Sequence, residues 1–399
     1  MPPQPRPELE SIRIATHGGF HADEWSTMAR QLETAPTSTQ SRPASAQSPQ
    51  GDFALSSQRL ESPEQVIDFS SNVNPFGASP RVRDALLRVP IARHPDPAAR
   101  ELRDALAARL HLTPERVTVG NGSLELLRSL AIAYLRAGDA ALIVGPTFGE
   151  YRVAAEVMGA RVVEVRALPQ DDFRLDVDAL VARVAVERPR LAFVCNPNNP
   201  TGAYLSRAEV ERLLAACDET LWVLDEAFVS FAADAWSSVE LSRQHENLIV
   251  VRSMTKDYAL TGLRLGYAFA HPDVVTALNK IKAPWSVNAF AQAAGLVALE
   301  DDAHLHETLA AIAVASAELK ASIARLDWRV VPSAVHFFLV DVSDARAFRA
   351  SLARHGLIVR DCASFGLPAF VRIATRRPEE NARLMSALRR EARCVKRET

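Results

Sequence analysis

Six short runs, ALIVGP (141–146), RVVEV (161–165), LAFVCNP (191–197), LWVLDEAF (221–228), LIVVRS (248–253) and LGYAFA (265–270), are strand-like, and most of them are near-continuously apolar. A strand with one face in water alternates apolar and polar residues, so runs without alternation require cover on both faces. Such cover comes from helices on each side of a mostly parallel sheet, and the intervening stretches carry helical periodicity. An α/β architecture follows. RVTVGNGSLELLRSLAIAYL (116–135) adds a strand, a Gly-rich turn and a helix to the same pattern.

The segment 33–58 is rich in Ser, Thr, Pro, Gln and Ala and has no apolar period, so it reads as a mobile insertion unable to bury enough surface to offset its ordering entropy. It separates IATHGGFHADE (14–24) from VIDFSSNVNPFG (66–77), two pieces that could meet in space. APWSVNAFAQAAGLVALED opens a long helical region from about residue 285 to 327. Beyond it lie strand-like VHFFLVDV, helix-like DARAFRASLARHG, strand-like LIVRDC and FVRIAT, and a charged helix from Pro378. The resulting division is an N-terminal arm over 1–66, a large domain over 67–290 and a smaller α+β domain over 291–399.

A chain of 399 residues with 48% apolar residues and a formal net charge of -2 has neither the basic surface of a nucleic-acid binder nor an apolar run of membrane-spanning length. Cys195, Cys217, Cys362 and Cys394 are scattered and form no CxxC pair, which argues against a metal cage or disulfide framework and fits a cytoplasmic protein.

Polar residues gather where the apolar runs end, and in open α/β sheets ligands bind at the carboxyl ends of strands. Gly122 and Ser123 open a helix whose free N–H groups could hold a phosphate, although a plain strand-to-helix connection has the same composition. Asp225 and Glu226 end an apolar strand where an unpartnered carboxylate would be costly, as a structural acid or a functional one. Lys256 follows the next strand, with Ser253, Thr255 and Arg264 close by in sequence. A desolvated lysine beside other cations is a nucleophile towards carbonyls, and pyridoxal phosphate is an aldehyde that needs a lysine, an acid and a phosphate cradle together.

The ordered motifs GNGSLE, NPNNPTG, DEAF, SMTK and GLRLGY resemble the fold-type-I aminotransferase superfamily, in the branch shared by histidinol-phosphate aminotransferases and threonine-phosphate decarboxylases. The likeness covers the chain apart from about 21–62. It implies a large, mostly parallel-sheet cofactor domain, a smaller C-terminal domain, pyridoxal 5′-phosphate as cofactor, no metal, and a homodimer with shared active sites. By motif, Lys256 is the lysine that carries the cofactor and shuttles the proton at the substrate Cα, and Asp225 pairs with the ring nitrogen. Asn196 bonds the phenolic oxygen, Phe148 stacks on the ring, and Gly122, Ser123, Ser253, Thr255 and Arg264 hold the phosphate. His94, in RHPDP, stands where the family has a Tyr reaching the phosphate of the neighbouring subunit.

For the small phosphorylated amino-acid substrate, the resemblance implies Arg372 at the carboxylate and Arg360, His17 and Asn72 at the phosphate. THGGF (16–20), Phe228 in place of a family Tyr, and FSSNVNPFG lie nearer the decarboxylase pattern, although Phe20 departs from its Asn. The expected reaction is decarboxylation of L-threonine O-3-phosphate to (R)-1-amino-2-propanol O-2-phosphate, a cobalamin precursor. Histidinol-phosphate transamination is the alternative.

Overall fold

The structure, a computed structural model, describes Ile12, Ala15 and residues 66–398. After the two-residue strand β1 (Ile67–Asp68) come β2 (Val117–Asn121), β3 (Ala140–Gly145), β4 (Arg161–Arg166), β5 (Leu191–Cys195), β6 (Leu221–Asp225), β7 (Leu248–Ser253) and β8 (Leu265–Phe269). Strands β2 to β8 form one seven-stranded sheet in the order β2-β8-β7-β6-β5-β3-β4. Only β8 runs against its neighbours.

Residues of each run divide between two cores. Leu142, Val194, Trp222, Leu224 and Val250 pack on one face with the helix Arg100–Arg109, while Ile143, Phe193, Val223 and Val251 pack on the other with the helix Ser123–Tyr134. Double burial is the reason these strands lack alternation. A fully buried side chain of this kind stabilises by about 1.5–3 kcal/mol, so the sheet is a rigid base for its loops.

A third core surrounds a three-stranded antiparallel sheet, β11-β12-β9, formed by β9 (Phe337–Asp341), β11 (Arg360–Asp361) and β12 (Phe370–Ala374). Phe338, Val340, Val371 and Ile373 face the helices Asp302–Ala324 and Pro378–Glu398 through Leu319, Ile323, Leu384 and Leu388. Ile67 and Phe69 join this core, because β1 pairs in parallel with β10 (Leu357–Ile358). The run LIVRDC is therefore two strands in two sheets, not one.

The helical region after residue 285 is also two helices, Ala289–Leu299 and Asp302–Ala324, the second opened by Asp301, whose carboxylate caps it. The first packs Ala291, Ala294 and Ala298 into the large-sheet core, and the second belongs mainly with the small sheet. Among the described residues no helix is long and apolar enough to cross a membrane.

Gly266 shows how tightly the site end of the sheet is built. A Cβ at this position would collide with the Ser123 backbone nitrogen and lie 2.8 Å from the Gly122 carbonyl carbon, both backbone atoms that cannot rotate away. Gly266→Ala is expected to destabilise the fold by about 1–3 kcal/mol through overpacking and to displace the Gly122–Ser123 turn. Urea denaturation read together with cofactor affinity checks both effects.

Candidate active site

The carboxyl ends of β2, β5, β6 and β7 reach one edge of the sheet, and the start of β8 meets them there, with Asn121 opposite Leu265 and Ser253 opposite Gly266. That registry gathers the turn Asn121–Gly122–Ser123, Asp225, the segment Ser253–Lys256 and Arg264. Residues far apart in sequence become neighbours because each ends or begins a paired strand.

Gly122 takes φ 75°, a left-handed conformation suited to glycine, and no side chain caps the helix Ser123–Tyr134. The first-turn N–H groups therefore point to a place where an anion would satisfy them. The Arg264 guanidinium lies against the Gly122 Cα, so close that a Cβ there would sit 2.8 Å from Nη2. Arg264 itself has φ 60° and donates from Nη1 to the Thr261 carbonyl at 3.1 Å, which fixes the fork beside the helix start. Buried Ser253 and Thr255 share a hydroxyl hydrogen bond of 2.6 Å, and the Thr255 N–H donates to Ser253 Oγ at 3.3 Å. A helix N-terminus, two hydroxyls and a guanidinium fit a phosphate group.

Asp225 is buried and is pushed up to about 6 by loss of water, opposed by hydrogen bonds from the Tyr151 hydroxyl (2.7 Å to Oδ2) and the Ala227 N–H (3.0 Å to Oδ1). Lys256 is pushed down to about 8, first by burial and then by the charges of Arg372 and Arg264, with Asp225 acting in the opposite sense. Its Nζ stands 5.9 Å from the centre of the Phe228 ring. A buried acid and a lysine amine held near neutrality fit the ring nitrogen and aldehyde of pyridoxal phosphate.

Asn74 locks the lysine turn from the N-terminal side. Its N–H donates to the Lys256 carbonyl at 2.9 Å, and its Nδ2 donates at 2.9 Å to both the Asp257 carbonyl and Thr308 Oγ1. Nearby Asn72 is 4% exposed, and its Oδ1 has no hydrogen-bond partner among the described residues. An orphaned acceptor at this depth suits a ligand donor.

Arg372 lies on β12 directly opposite Arg360 on β11, which sends both side chains to the same face. The Arg372 guanidinium donates to Asn199 Oδ1 and, at 2.5 Å, to the Ser70 carbonyl, and it lies over the Phe337 ring at 5.5 Å. Burial lowers it to about 10, which leaves it cationic at neutral pH. Arg360 donates to Ser364 Oγ at 2.8 Å.

The structure thus joins Gly122, Ser123, Asp225, Ser253, Thr255, Lys256, Arg264 and Arg372 in one region, with Asn72 and Asn74 on its N-terminal side. Phe148 lies beside it, edge-on to Tyr151 at 5.6 Å, and the described Ala15 methyl packs 3.3 Å from a Cβ position on adjacent Gly149. His17 lies outside the described residues. His94 is exposed and stacks on Trp285 at 4.9 Å, apart from this cluster within one chain. Asn196 is anchored to the Leu205 backbone: its Oδ1 accepts from the Leu205 N–H at 2.7 Å and one Nδ2–H donates to the Leu205 carbonyl at 3.2 Å. In the same motif Asn199 faces Arg372. Sequence reasoning missed Asn199, Asn74 and Tyr151; for Tyr151 the available signal was an aromatic three residues after Phe148, at the start of the following helix.

Fold and site together define a fold-type-I pyridoxal-phosphate-dependent enzyme. The chain belongs to the aminotransferase class I and II family, whose family model matches residues 64–388. It is 38% identical over 330 residues to a histidinol-phosphate aminotransferase of Symbiobacterium thermophilum, covering 81% of this chain and 90% of that one. A second such enzyme, histidinol-phosphate aminotransferase 2 of Ralstonia nicotianae, is 38% identical over 333 residues, covering 81% and 88%. Among solved structures, the histidinol-phosphate aminotransferase of Sinorhizobium meliloti in complex with pyridoxal-5′-phosphate superposes with a TM-score of 0.80 at 26% identity, covering 98% of this chain and 97% of that one. The L-threonine-O-3-phosphate decarboxylase of Porphyromonas gingivalis gives 0.71 at 28%, covering 80% and 98%.

The lowered basicity of Lys256 has a direct consequence. Its neutral amine, the form that attacks an aldehyde, becomes the major form above about pH 8. The rate at which the cofactor-free chain captures pyridoxal phosphate, followed by visible absorbance, is expected to rise with pH and level off near 8 instead of near 10.5. Arg372→Gln removes one of the charges that disfavours the ammonium and is expected to move the midpoint up by about half a unit to one unit.

Proposed function

We propose that this chain is a pyridoxal-phosphate-dependent aminotransferase for a phosphorylated amine of the histidinol-phosphate type, with a 2-oxo acid as amino-group acceptor. Of the two reactions raised by the sequence, amino transfer has the stronger support. The observation that carries it is 38% identity to a histidinol-phosphate aminotransferase along 81% of the chain, in a protein that keeps the lysine, acid and phosphate cradle at one sheet edge. The threonine-phosphate decarboxylase of Porphyromonas gingivalis is 28% identical, against 38% for the aminotransferase relative, so decarboxylation is the weaker reading.

When bound, pyridoxal phosphate supplies an electron sink for the pair released as a bond at the substrate Cα breaks. Lys256 would hold the cofactor through its aldehyde carbon and move the proton at the substrate Cα. Asp225 would keep the ring nitrogen protonated. Gly122 and Ser123 backbone N–H groups, Ser253, Thr255 and Arg264 would hold the phosphate, and Phe148 would face the ring. The phenolic oxygen would go to Asn199 in this assignment, because the Leu205 backbone takes Oδ1 and one Nδ2–H of Asn196, whereas Asn199 gives only its Oδ1 to Arg372. Arg372 takes the acceptor carboxylate and Arg360 the phosphate end. His94, exposed beside Trp285, serves the cofactor phosphate of a second copy in a homodimer.

A second reading, decarboxylation of phosphothreonine, is favoured by Phe228, whose ring faces Lys256 without offering a hydroxyl, and by the orphaned Asn72 Oδ1. One assay separates the two. Purified enzyme loaded with pyridoxal phosphate is expected to turn over imidazole-acetol phosphate only with glutamate present and to release no CO2 from L-threonine O-3-phosphate. CO2 release without an oxo acid would replace the first reading with the second.

A further inference from the structure

Tyr151 is among the largest fully buried side chains of the protein, in the helix Glu150–Val157. Its ring stacks on Phe193 of β5 at 5.0 Å and 8° and meets Phe148 edge-on at 5.6 Å and 84°. Held between those two rings, its hydroxyl has a fixed direction, and it donates to Asp225 Oδ2 at 2.7 Å. The Ala227 N–H donates to the other oxygen at 3.0 Å, so the carboxylate is gripped at both atoms.

We propose that Tyr151 is a positioning residue: it keeps the Asp225 carboxylate ionised and turned so that its remaining lone pairs face the cofactor's ring nitrogen. This rests on the reading that Asp225 pairs with that nitrogen. A phenol is suited to the task because it donates one strong hydrogen bond without bringing a charge that would compete with the ring for the acid.

The other groups around Asp225 do not duplicate this service. Cys195 approaches from β5, where burial and the nearby acid push its thiol up to about 12, so it stays neutral. Glu226, next in the chain, adds a like charge but is tied to Arg252 and Ser238. Lys256 faces the acid from the turn after β7 and becomes committed to the cofactor. For the Tyr151 hydroxyl, Asp225 and Cys195 are the titratable neighbours, and both keep its proton in place. Without the phenol, burial would act on Asp225 with less opposition, and the acid would hold its proton to higher pH.

The test is a cycle in which Tyr151→Phe removes one oxygen and the cofactor is either pyridoxal phosphate or its deaza analogue, with carbon in place of the ring nitrogen. Dissociation constants are read from the absorbance of the bound cofactor between pH 6 and 9. Tyr151→Phe is expected to weaken pyridoxal phosphate by about 10- to 100-fold near neutrality, the scale of one hydrogen bond to a charged group, and to shift the pH profile upward. The analogue is expected to bind wild type and variant alike, and Tyr151→Phe added to Asp225→Asn is expected to cost no further affinity. Equal pyridoxal-phosphate affinity of wild type and variant would overturn the proposal, as would equal losses with both cofactors, the mark of a merely structural tyrosine. A wild type that binds both cofactors equally would overturn the ring-nitrogen reading of Asp225 itself, and the role of Tyr151 with it.

Discussion

Loss of water at the carboxyl edge of the large sheet governs the electrostatics of this protein. The same burial pushes Asp225 up to about 6 and Lys256 down to about 8, so each group is driven toward its neutral form. Two charges could persist there only with hydrogen bonds and partners built around them. The surroundings are divided accordingly. Asp225 receives donors from Tyr151 and Ala227, which favour the carboxylate. Lys256 receives cations, Arg372 and Arg264, which favour the free amine. An acid helped to ionise beside an amine helped to lose its proton is the arrangement an aldehyde on a protonated heteroaromatic ring requires.

The sheet was legible because double burial leaves a direct trace in composition. Each apolar run from ALIVGP to LGYAFA became a strand, and the two cores on either side account for the missing alternation of the inner strands, while the edge strand β4 leaves Arg161 and Arg166 exposed. Elements governed by tertiary pairing were harder to read. The run LIVRDC splits because Leu357 and Ile358 pair with β1 while Arg360 and Asp361 pair with β12, and no local property of six residues encodes a change of sheet. The site followed the same rule. Asp225 ends β6, Arg264 immediately precedes β8 and Lys256 follows β7 by three residues, positions that motifs next to apolar runs mark in the sequence. Asn196 and Asn199 share a motif but not their partners, since the Leu205 backbone takes Asn196 and Arg372 takes Asn199, and the fold of the turn makes that difference.

Arg372 connects the small sheet to the chemistry of the large one. From β12 it reaches Asn199, in the loop after β5, and the Ser70 carbonyl, in the N-terminal segment. Asn74, four residues beyond Ser70, holds the Lys256 carbonyl. One short segment therefore touches both the group assigned to the substrate anion and the turn that carries the lysine. Because the β1 pairing also ties this segment into the small core, a shift of β12 would be felt at Lys256 through hydrogen bonds at both ends.

The cross-strand pairing of Arg360 with Arg372 bears on substrate choice. Like charges directly opposite on neighbouring strands destabilise a sheet, and the Arg360 charge adds to burial in lowering Arg372. Phe365 under Arg360 and Phe337 under Arg372 support the two guanidinium groups without neutralising them. An anion reaching both would relieve their repulsion, and planar forks bind carboxylate or phosphate with two hydrogen bonds each. Under the proposed function, such a face suits an anionic substrate group whichever Cα bond breaks. That choice falls to the groups that set the rotation of the substrate against the ring, and Phe228, packed edge-on to Phe337 at 4.8 Å, carries the Lys256 side of the site with an apolar wall. Such a wall offers no hydroxyl beside Lys256, and the polar groups of this region are the arginine pair and the Asn199 amide that accepts from Arg372.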